Sequence, residues 1–196
     1  MNNKIFYWSP FIDKVATVKS VINSAYSLAK YDKNYEPIIL NTLGEWNNYK
    51  EEILKKNIKL IKLTNSEILS KKKRKSGFLK SRILYIYIIL KLFFPLINFL
   101  KKNNDDYLII HLITSLPLFL NIFFRKNNKI ILRVSGLPKF TFFRKLLWNY
   151  GINYVKLVYC PTNDTQQNLQ NLFPKNRSKF KVLRDPIINI KEIQVK

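Results

Sequence analysis

The sequence predicts an α/β domain: a doubly wound, mostly parallel sheet of six or seven strands with helices on both faces. Three observations carry this expectation. Short apolar runs recur along the chain and read as continuous rather than alternating, as strands buried on both faces require. Segments with apolar residues at 3.6-residue spacing fall between them. The connections are short, and strand–helix–strand units joined in this way wind right-handedly into parallel sheets. The 196 residues suit one domain, and 47% hydrophobic content with only 4 Gly excludes collagen-like, linker-like and disordered chains. There is no internal repeat.

In order, Lys4–Trp8 (KIFYW) is the first strand, closed by Ser9-Pro10. Val15, Val18, Ile22, Ala25 and Ala29 then mark one face of a helix. Pro37–Asn41 is a second strand, Trp46–Lys56 a short helix and Ile58–Leu63 a third strand. The stretch Thr64–Arg82 carries KKKRK at Lys71–Lys75 and reads as a solvated loop. A long apolar helix, Ile83–Leu100, follows. Tyr107–Leu112 is the fourth strand; Ser115–Phe124 is a helix with Pro117 in its first turn, where a missing N–H costs nothing. Lys129–Val134 is the fifth strand, ending at Ser135-Gly136, and Phe142–Tyr150 is helical. Lys156–Cys160 is the sixth strand, Asp164–Phe173 a helix capped by Thr162 or Asn163, and Lys179–Leu183 the seventh strand.

Thirty-five Lys and Arg against 12 Asp and Glu leave a net charge of +23. Part of that excess reflects composition, since Lys, Asn, Ile, Phe and Tyr accumulate together in A/T-rich coding sequences. The remainder is compatible with nucleic acid, an anionic membrane surface or phosphorylated substrates. Nucleic acid is the weakest of these, because the cations are strewn along the chain and no zinc-finger or recognition-helix pattern is present. A single cysteine, Cys160, and a single histidine, His111, supply neither a disulfide nor the ligands of a metal cage, so neither a metal nor a cofactor is expected. Cys160 reads as a small buried hydrophobe. The N-terminus lacks the apolar core of a signal peptide, so the expected location is cytoplasmic, peripheral on the inner face of the membrane.

Ile83–Leu100 is the one stretch with the length of a membrane span. Lys91 near its middle would cost about 2.5–3.5 kcal/mol on insertion scales, and Pro95 interrupts the backbone ladder. On a helix, Lys80, Lys91, Asn98 and Lys102 fall within about 40° of one another, a narrow polar stripe on an apolar cylinder. A half-buried domain helix, an interfacial helix on lipid and a span all remain open, with KKKRK beside it suited to an anionic surface.

In a doubly wound sheet, ligands bind beyond the carboxyl ends of the strands. That rule selects the segments Ser9–Lys14, Asn41–Gly44, His111–Ser115, Ser135–Lys139 and Pro161–Asp164. Within them Ser9, Lys14, His111, Ser135 and Gly136 are the candidate substrate-binding residues. Lys14 at a helix N-terminus suits a phosphate, and the alternative is a plain strand-to-helix turn. His111 is either a ligand contact or a satisfied core histidine. Ser135-Gly136 permits a sharp turn and close backbone approach, or is only a turn. The first loop holds neither G-x-G-x-x-G nor a P-loop, so ordinary dinucleotide and nucleotide enzymes are not supported. Asp13 is the one acidic residue there, and a catalytic base is the less economical reading of it.

Taken as an ordered set, SPFIDKVATVKSVINSAYSL, IHLITSLPL, RVSGLPKF, CPTNDTQQNLQ and the closing VLRDPIIN resemble the N-terminal, acceptor-side domain of a GT-B glycosyltransferase of the family-4-like, retaining type. The resemblance covers nearly the whole chain. It implies a Rossmann-like domain over 1–183 and the start of an interdomain linker over 184–196, with the C-terminal, donor-binding domain absent. The family's paired glutamates eight positions apart do not occur: Glu36 and Glu45 differ by nine, Glu45 and Glu52 by seven, Asp185 and Glu192 by seven. The first loop also departs from the family's glycine-rich form.

The resemblance implies the acceptor-binding half of an enzyme that transfers a sugar from a nucleotide-sugar donor to a lipid-linked or cell-surface polysaccharide acceptor. Anomeric configuration would be retained and no metal required. His111 and Ser135-Gly136 would then touch sugar or acceptor, and Lys14 a phosphate, while no catalytic residue is assigned. The implied partners are the donor, a glycan or lipid-linked acceptor and an anionic membrane surface. A non-catalytic binding or regulatory domain, or a truncated inactive fragment, would have the same sequence features.

Overall fold

A computed structural model describes residues 3–12, 16–71, 78–124 and 129–184. Seven strands form one sheet: β1 Asn3–Trp8, β2 Tyr35–Asn41, β3 Lys59–Lys62, β4 Tyr107–Ile110, β5 Lys129–Arg133, β6 Leu157–Cys160 and β7 Phe180–Val182. Their spatial order is β3-β2-β1-β4-β5-β6-β7, and every neighbouring pair is parallel. The chain reverses its direction of travel between β1 and β4, and a crevice opens at such a switch point.

The helices are α1 Thr17–Tyr31, α2 Lys50–Lys55, α3 Ile68–Lys71, α4 Phe78–Lys102, α5 Ser115–Phe124, α6 Phe142–Gly151 and α7 Asn163–Leu172. Two apolar layers follow from strand alternation. Tyr7 and Ile39 face one way, onto Val18, Val21, Ile22 and Ala25 of α1 and Ile53 of α2. Phe6, Trp8, Ile38 and Leu40 face the other way, into a larger core closed by α4, α5, α6 and α7. Thr141 and Thr162 cap α6 and α7, their hydroxyls accepting from the N–H groups of Arg144 and Thr165.

The strand and helix boundaries expected from the sequence hold to within two residues, save that the helix expected from Trp46 opens as a 3₁₀ turn over Asn47–Tyr49 before α2, and except in one further segment. Thr64–Arg82 is not a loop throughout. Its first half forms α3, with Leu69 buried and its N–H donating to the Leu43 carbonyl at 3.0 Å. Its end belongs to α4, which starts at Phe78 rather than Ile83. The charges over-weighted the loop reading: Leu, Lys and Arg are all good helix formers, and extending an existing helix adds a hydrogen bond for each residue fixed. Most of KKKRK and the Asp185-Pro186 junction lie outside the described residues.

Among the alternatives for the apolar helix, the structure places α4 in the domain. Leu84, Ile88, Leu92, Leu96, Ile97 and Leu100 are buried against the sheet, and Phe99 meets Phe6 edge-on at 4.8 Å. The helix runs on through Pro95, which forfeits the bond to the carbonyl of exposed Lys91. The opposite face keeps Ile83, Ile86, Leu90 and Phe94 in solvent, at 68%, 57%, 69% and 71% exposure. Lys91, Asn98 and Lys102 of the expected polar stripe are exposed beside them.

Candidate functional site

The site is built at the carboxyl edge of the sheet. Strand register pairs Trp8 with Ile110, Ile110 with Leu132, and Arg133 with Tyr159. One step further, Ser9, His111, Arg133 and Tyr159 stand side by side across β1, β4, β5 and β6. The His111 N–H donates to the Trp8 carbonyl at 2.8 Å, which carries the ladder one residue past β4.

Ser9 and His111 sit deep, at 0% and 2% exposure, and among the described residues Ser9 Oγ and His111 Nε2 find no hydrogen-bond partner. The imidazole lies roughly parallel to the Tyr7 ring, centroids 6.4 Å apart. Burial, and after it the charge of Arg133, pushes the His111 pKa down to about 3. The ring is therefore neutral at physiological pH and too weak a base to shuttle protons there.

A consequence for stability follows. The unfolded chain takes up a proton near the ordinary value of 6.5, whereas the folded chain refuses it until about pH 3. Stability should be complete above pH 6.5 and fall as the pH drops from 6.5 toward 3. Denaturant midpoints at about pH 7, 5.5 and 4 should fall less steeply in His111→Gln than in the parent; equal slopes would refute a buried neutral histidine.

Beside this row opens a cavity of about 330 Å³, lined by Leu112–Thr114 after β4, by Arg133–Pro138 at the end of β5, and by Arg144 and Trp148 of α6. Leu112 and Ile113 hold left-handed φ values of 45° and 32°. Such conformations cost about 1–3 kcal/mol each and persist only where their surroundings impose them. The turn delivers Thr114 to the start of α5, where its hydroxyl is buried without a partner. Arg133 Nη2 donates to the Arg184 carbonyl at 3.1 Å, and Arg144 Nη1 to the Lys139 carbonyl at 3.2 Å. At Gly136 an added Cβ would meet nothing within 4 Å, so the missing side chain leaves open space beside the cavity.

The residues expected from the sequence thus separate. Ser135 and Gly136 line the cavity; Ser9 and His111 are buried next to it; Lys14 and Asp13 lie outside the described residues. The segment Asn41–Gly44 is a brace, not an open ligand loop. The buried Glu45 carboxylate accepts from Thr42 N and Oγ1 and from Leu43 N at 2.8–3.0 Å, and the Thr64 hydroxyl donates to the Thr42 carbonyl at 2.6 Å. Burial pushes the Glu45 carboxyl up despite those donors. Sequence reasoning reached Thr114 only as part of the segment His111–Ser115, and missed Arg133, Arg144 and Trp148 as cavity-lining residues. Arg133 had a signal, a cation inside the apolar run KIILRV; Arg144 and Trp148 had none. Cys160 is fully buried, with its thiol pushed up to about 11, and is unsuited to act as a nucleophile. Among the described residues no three His, Cys, Asp or Glu gather into a metal-binding group.

No family model matches the chain, and no curated protein matches its sequence. Solved structures do match in shape. A glycosyltransferase from Rickettsia africae superposes with a TM-score of 0.64 at 17% identity, over 93% of this chain and 43% of that one. The UDP-GlcNAc 2-epimerase of Neisseria meningitidis, solved with UDP-GlcNAc bound, gives 0.62 at 11% identity, over 100% of this chain and 50% of that one. A lipopolysaccharide outer core galactosyltransferase gives 0.52 at 12% identity, over 95% of this chain and 46% of that one. The fold is that of one half of a GT-B molecule. At these identities the likeness establishes the fold alone, and the chain spans about half the length, 43% to 50%, of these matched structures. Family 4 in particular is not singled out, since glycosyltransferases and epimerases match alike.

Proposed function

We propose that this chain forms the acceptor-side wall of a GT-B enzyme that moves a sugar from a nucleotide-sugar donor to a lipid-linked or cell-surface polysaccharide acceptor, with retention of configuration. The observation that carries the reading is the cavity at the carboxyl ends of β4 and β5, lined by Arg133, Ser135, Gly136 and Arg144, in a GT-B half domain. Transfer of this kind depends on charge stabilisation of the diphosphate leaving group, a task for donors on the facing wall. The 196-residue chain should therefore bind glycans weakly and show no saturable affinity for nucleoside-diphosphate sugars. Calorimetry with both panels tests this, and micromolar binding of a nucleotide sugar would overturn the division of labour. A second reading, half of a nucleotide-sugar epimerase, is favoured by the comparable TM-score of 0.62. Nucleotide-sugar binding without glycan binding would select it.

The acceptor class is tied to the outer face of α4. Ile83, Ile86, Leu90 and Phe94 form an apolar strip, with Phe119 and Phe123 of α5 also exposed, and the exposed Arg82, Lys91, Lys101 and Lys102 lie on the same helix. This combination suits a helix lying on an anionic bilayer, where each cation near the surface contributes about 1 kcal/mol and is screened by salt. The chain should co-sediment with phosphatidylglycerol vesicles and not with phosphatidylcholine vesicles, and Phe94→Glu should weaken that binding severalfold. Indifference to lipid charge would refute surface binding, and retention through alkaline carbonate would indicate a span.

A further inference from the structure

We infer that the cavity between the β4 and β5 loops is an oxyanion subsite, and that the acceptor unit it takes is an acidic sugar, phosphorylated or carboxylated. The inference rests on the sugar-handling reading above and deepens it. Its basis is the hydrogen-bonding inventory of the lining. Among the described residues, Arg144 Nε and Trp148 Nε1 are buried N–H donors with no acceptor, and the Thr114 hydroxyl, 7% exposed, has no partner either. Buried donors are seldom left unsatisfied in a folded protein, so three on residues lining one cavity call for an occupant rich in acceptors.

Charge narrows the class. Two guanidinium side chains, Arg133 and Arg144, belong to the lining, and none of the eleven lining residues is acidic. Arg133 is 6% exposed and already held by the Arg184 carbonyl, so its cation is kept at the cavity with little freedom to turn away into water. Guanidinium groups are weakly hydrated and match the geometry of carboxylate and phosphate oxygens. The N-terminus of α5 meets the same space through Thr114, adding the partial positive charge of a ten-residue helix. A neutral glycan would offer hydroxyls that both donate and accept, and would bring no charge to the guanidinium of Arg144. An oxyanion offers acceptors alone, which is what the orphaned donors lack.

Size narrows it again. About 330 Å³ is at the lower end of small-molecule sites and suits one monosaccharide with its acidic group rather than a nucleotide. Leu112, Ile113, Val134, Leu137 and Pro138 supply the apolar part of the wall.

The test is a chemical-shift titration of the full chain with glucose, glucose 6-phosphate, glucuronate and inorganic phosphate. Glucose 6-phosphate or glucuronate should bind at least tenfold more tightly than glucose, and whichever of the two binds better identifies the oxyanion. Arg144→Gln should weaken that binding about tenfold or more, as loss of a charge-assisted hydrogen bond does, and Arg144→Lys should restore part of it. Thermal melts establish that the variants fold, and Thr114→Val, which keeps shape and removes the hydroxyl, serves if Arg144→Gln does not. Equal binding of glucose and its acidic counterparts, or binding unchanged in a folded Arg144→Gln, would overturn the oxyanion subsite and leave the sugar reading standing. Tight binding of inorganic phosphate with no gain from an attached sugar would sustain the oxyanion site and count against the sugar reading. No binding by any probe at tens of millimolar would overturn both.

Discussion

Replacing Trp148 with alanine should remove about 3–5 kcal/mol of folding stability, the range for deleting a large aromatic from a core. Trp148 is fully buried. Its ring lies against Phe173 at 6.0 Å and takes the edge of Phe140 at 5.2 Å, while Phe173 also stacks on Phe180 of β7 at 6.3 Å. One side chain thus ties α6 to the far edge of the sheet. Gly151 on the next turn packs closely on α5, where an added Cβ would stand 3.0 Å from Leu118, which limits how far α6 can shift toward α5. The denaturant midpoint should drop sharply with little change in slope. Trp148→Phe should retain most of the stability and lose the buried indole N–H, which separates packing from hydrogen bonding. A Trp148→Ala protein within 1 kcal/mol of the parent would show that the aromatic stack contributes little.

The second large effect is expected at Gly44, where alanine should cost about 2–4 kcal/mol from backbone strain and overpacking together. Gly44 holds φ at +88°, a conformation L-residues rarely adopt. A Cβ there would stand 2.8 Å from the Glu67 Cα, which is backbone and cannot swing aside. The site is clamped from both sides by the Leu69 N–H on the Leu43 carbonyl and the Asn47 N–H on the Gly44 carbonyl. Either the turn opens, breaking those bonds, or the strain stays. A chemical denaturation series measures it. A substitution costing less than about 0.5 kcal/mol would mean that the Asn41–Trp46 brace is soft and that the loop after β2 could open to a ligand.

The contrast between Gly44 and Gly136 shows where sequence reasoning stops. Both sit in short turns after strands. Only Gly44 has the positive φ and the crowded backbone neighbour; at Gly136 the space is empty. Nothing within a few residues of either distinguishes them, because the crowding at Gly44 comes from Glu67, twenty-three residues away along the chain. Likewise Ser9 and His111 were legible as residues at strand ends, but their burial depends on which neighbours close over them. Arg144 and Trp148 reach the cavity by the angle at which α6 crosses the sheet, and that angle is set by packing.

The sequence by itself determined the class of fold and the order of its elements. Strands buried on both faces must be continuous apolar runs, helices must be amphipathic, and short right-handed crossovers leave few ways to combine them. It also determined that His111 and Ser135 would lie at the carboxyl edge, since in a parallel sheet every strand ends on the same side. Only the tertiary structure decided that α4 rests one face on the sheet and turns the other outward, because its apolar residues encircle the helix and their pattern alone does not choose a side. The same holds for the cavity. Its donors come from the ends of two strands and from two helices, and buried N–H groups are left without acceptors only when those separate pieces pack together.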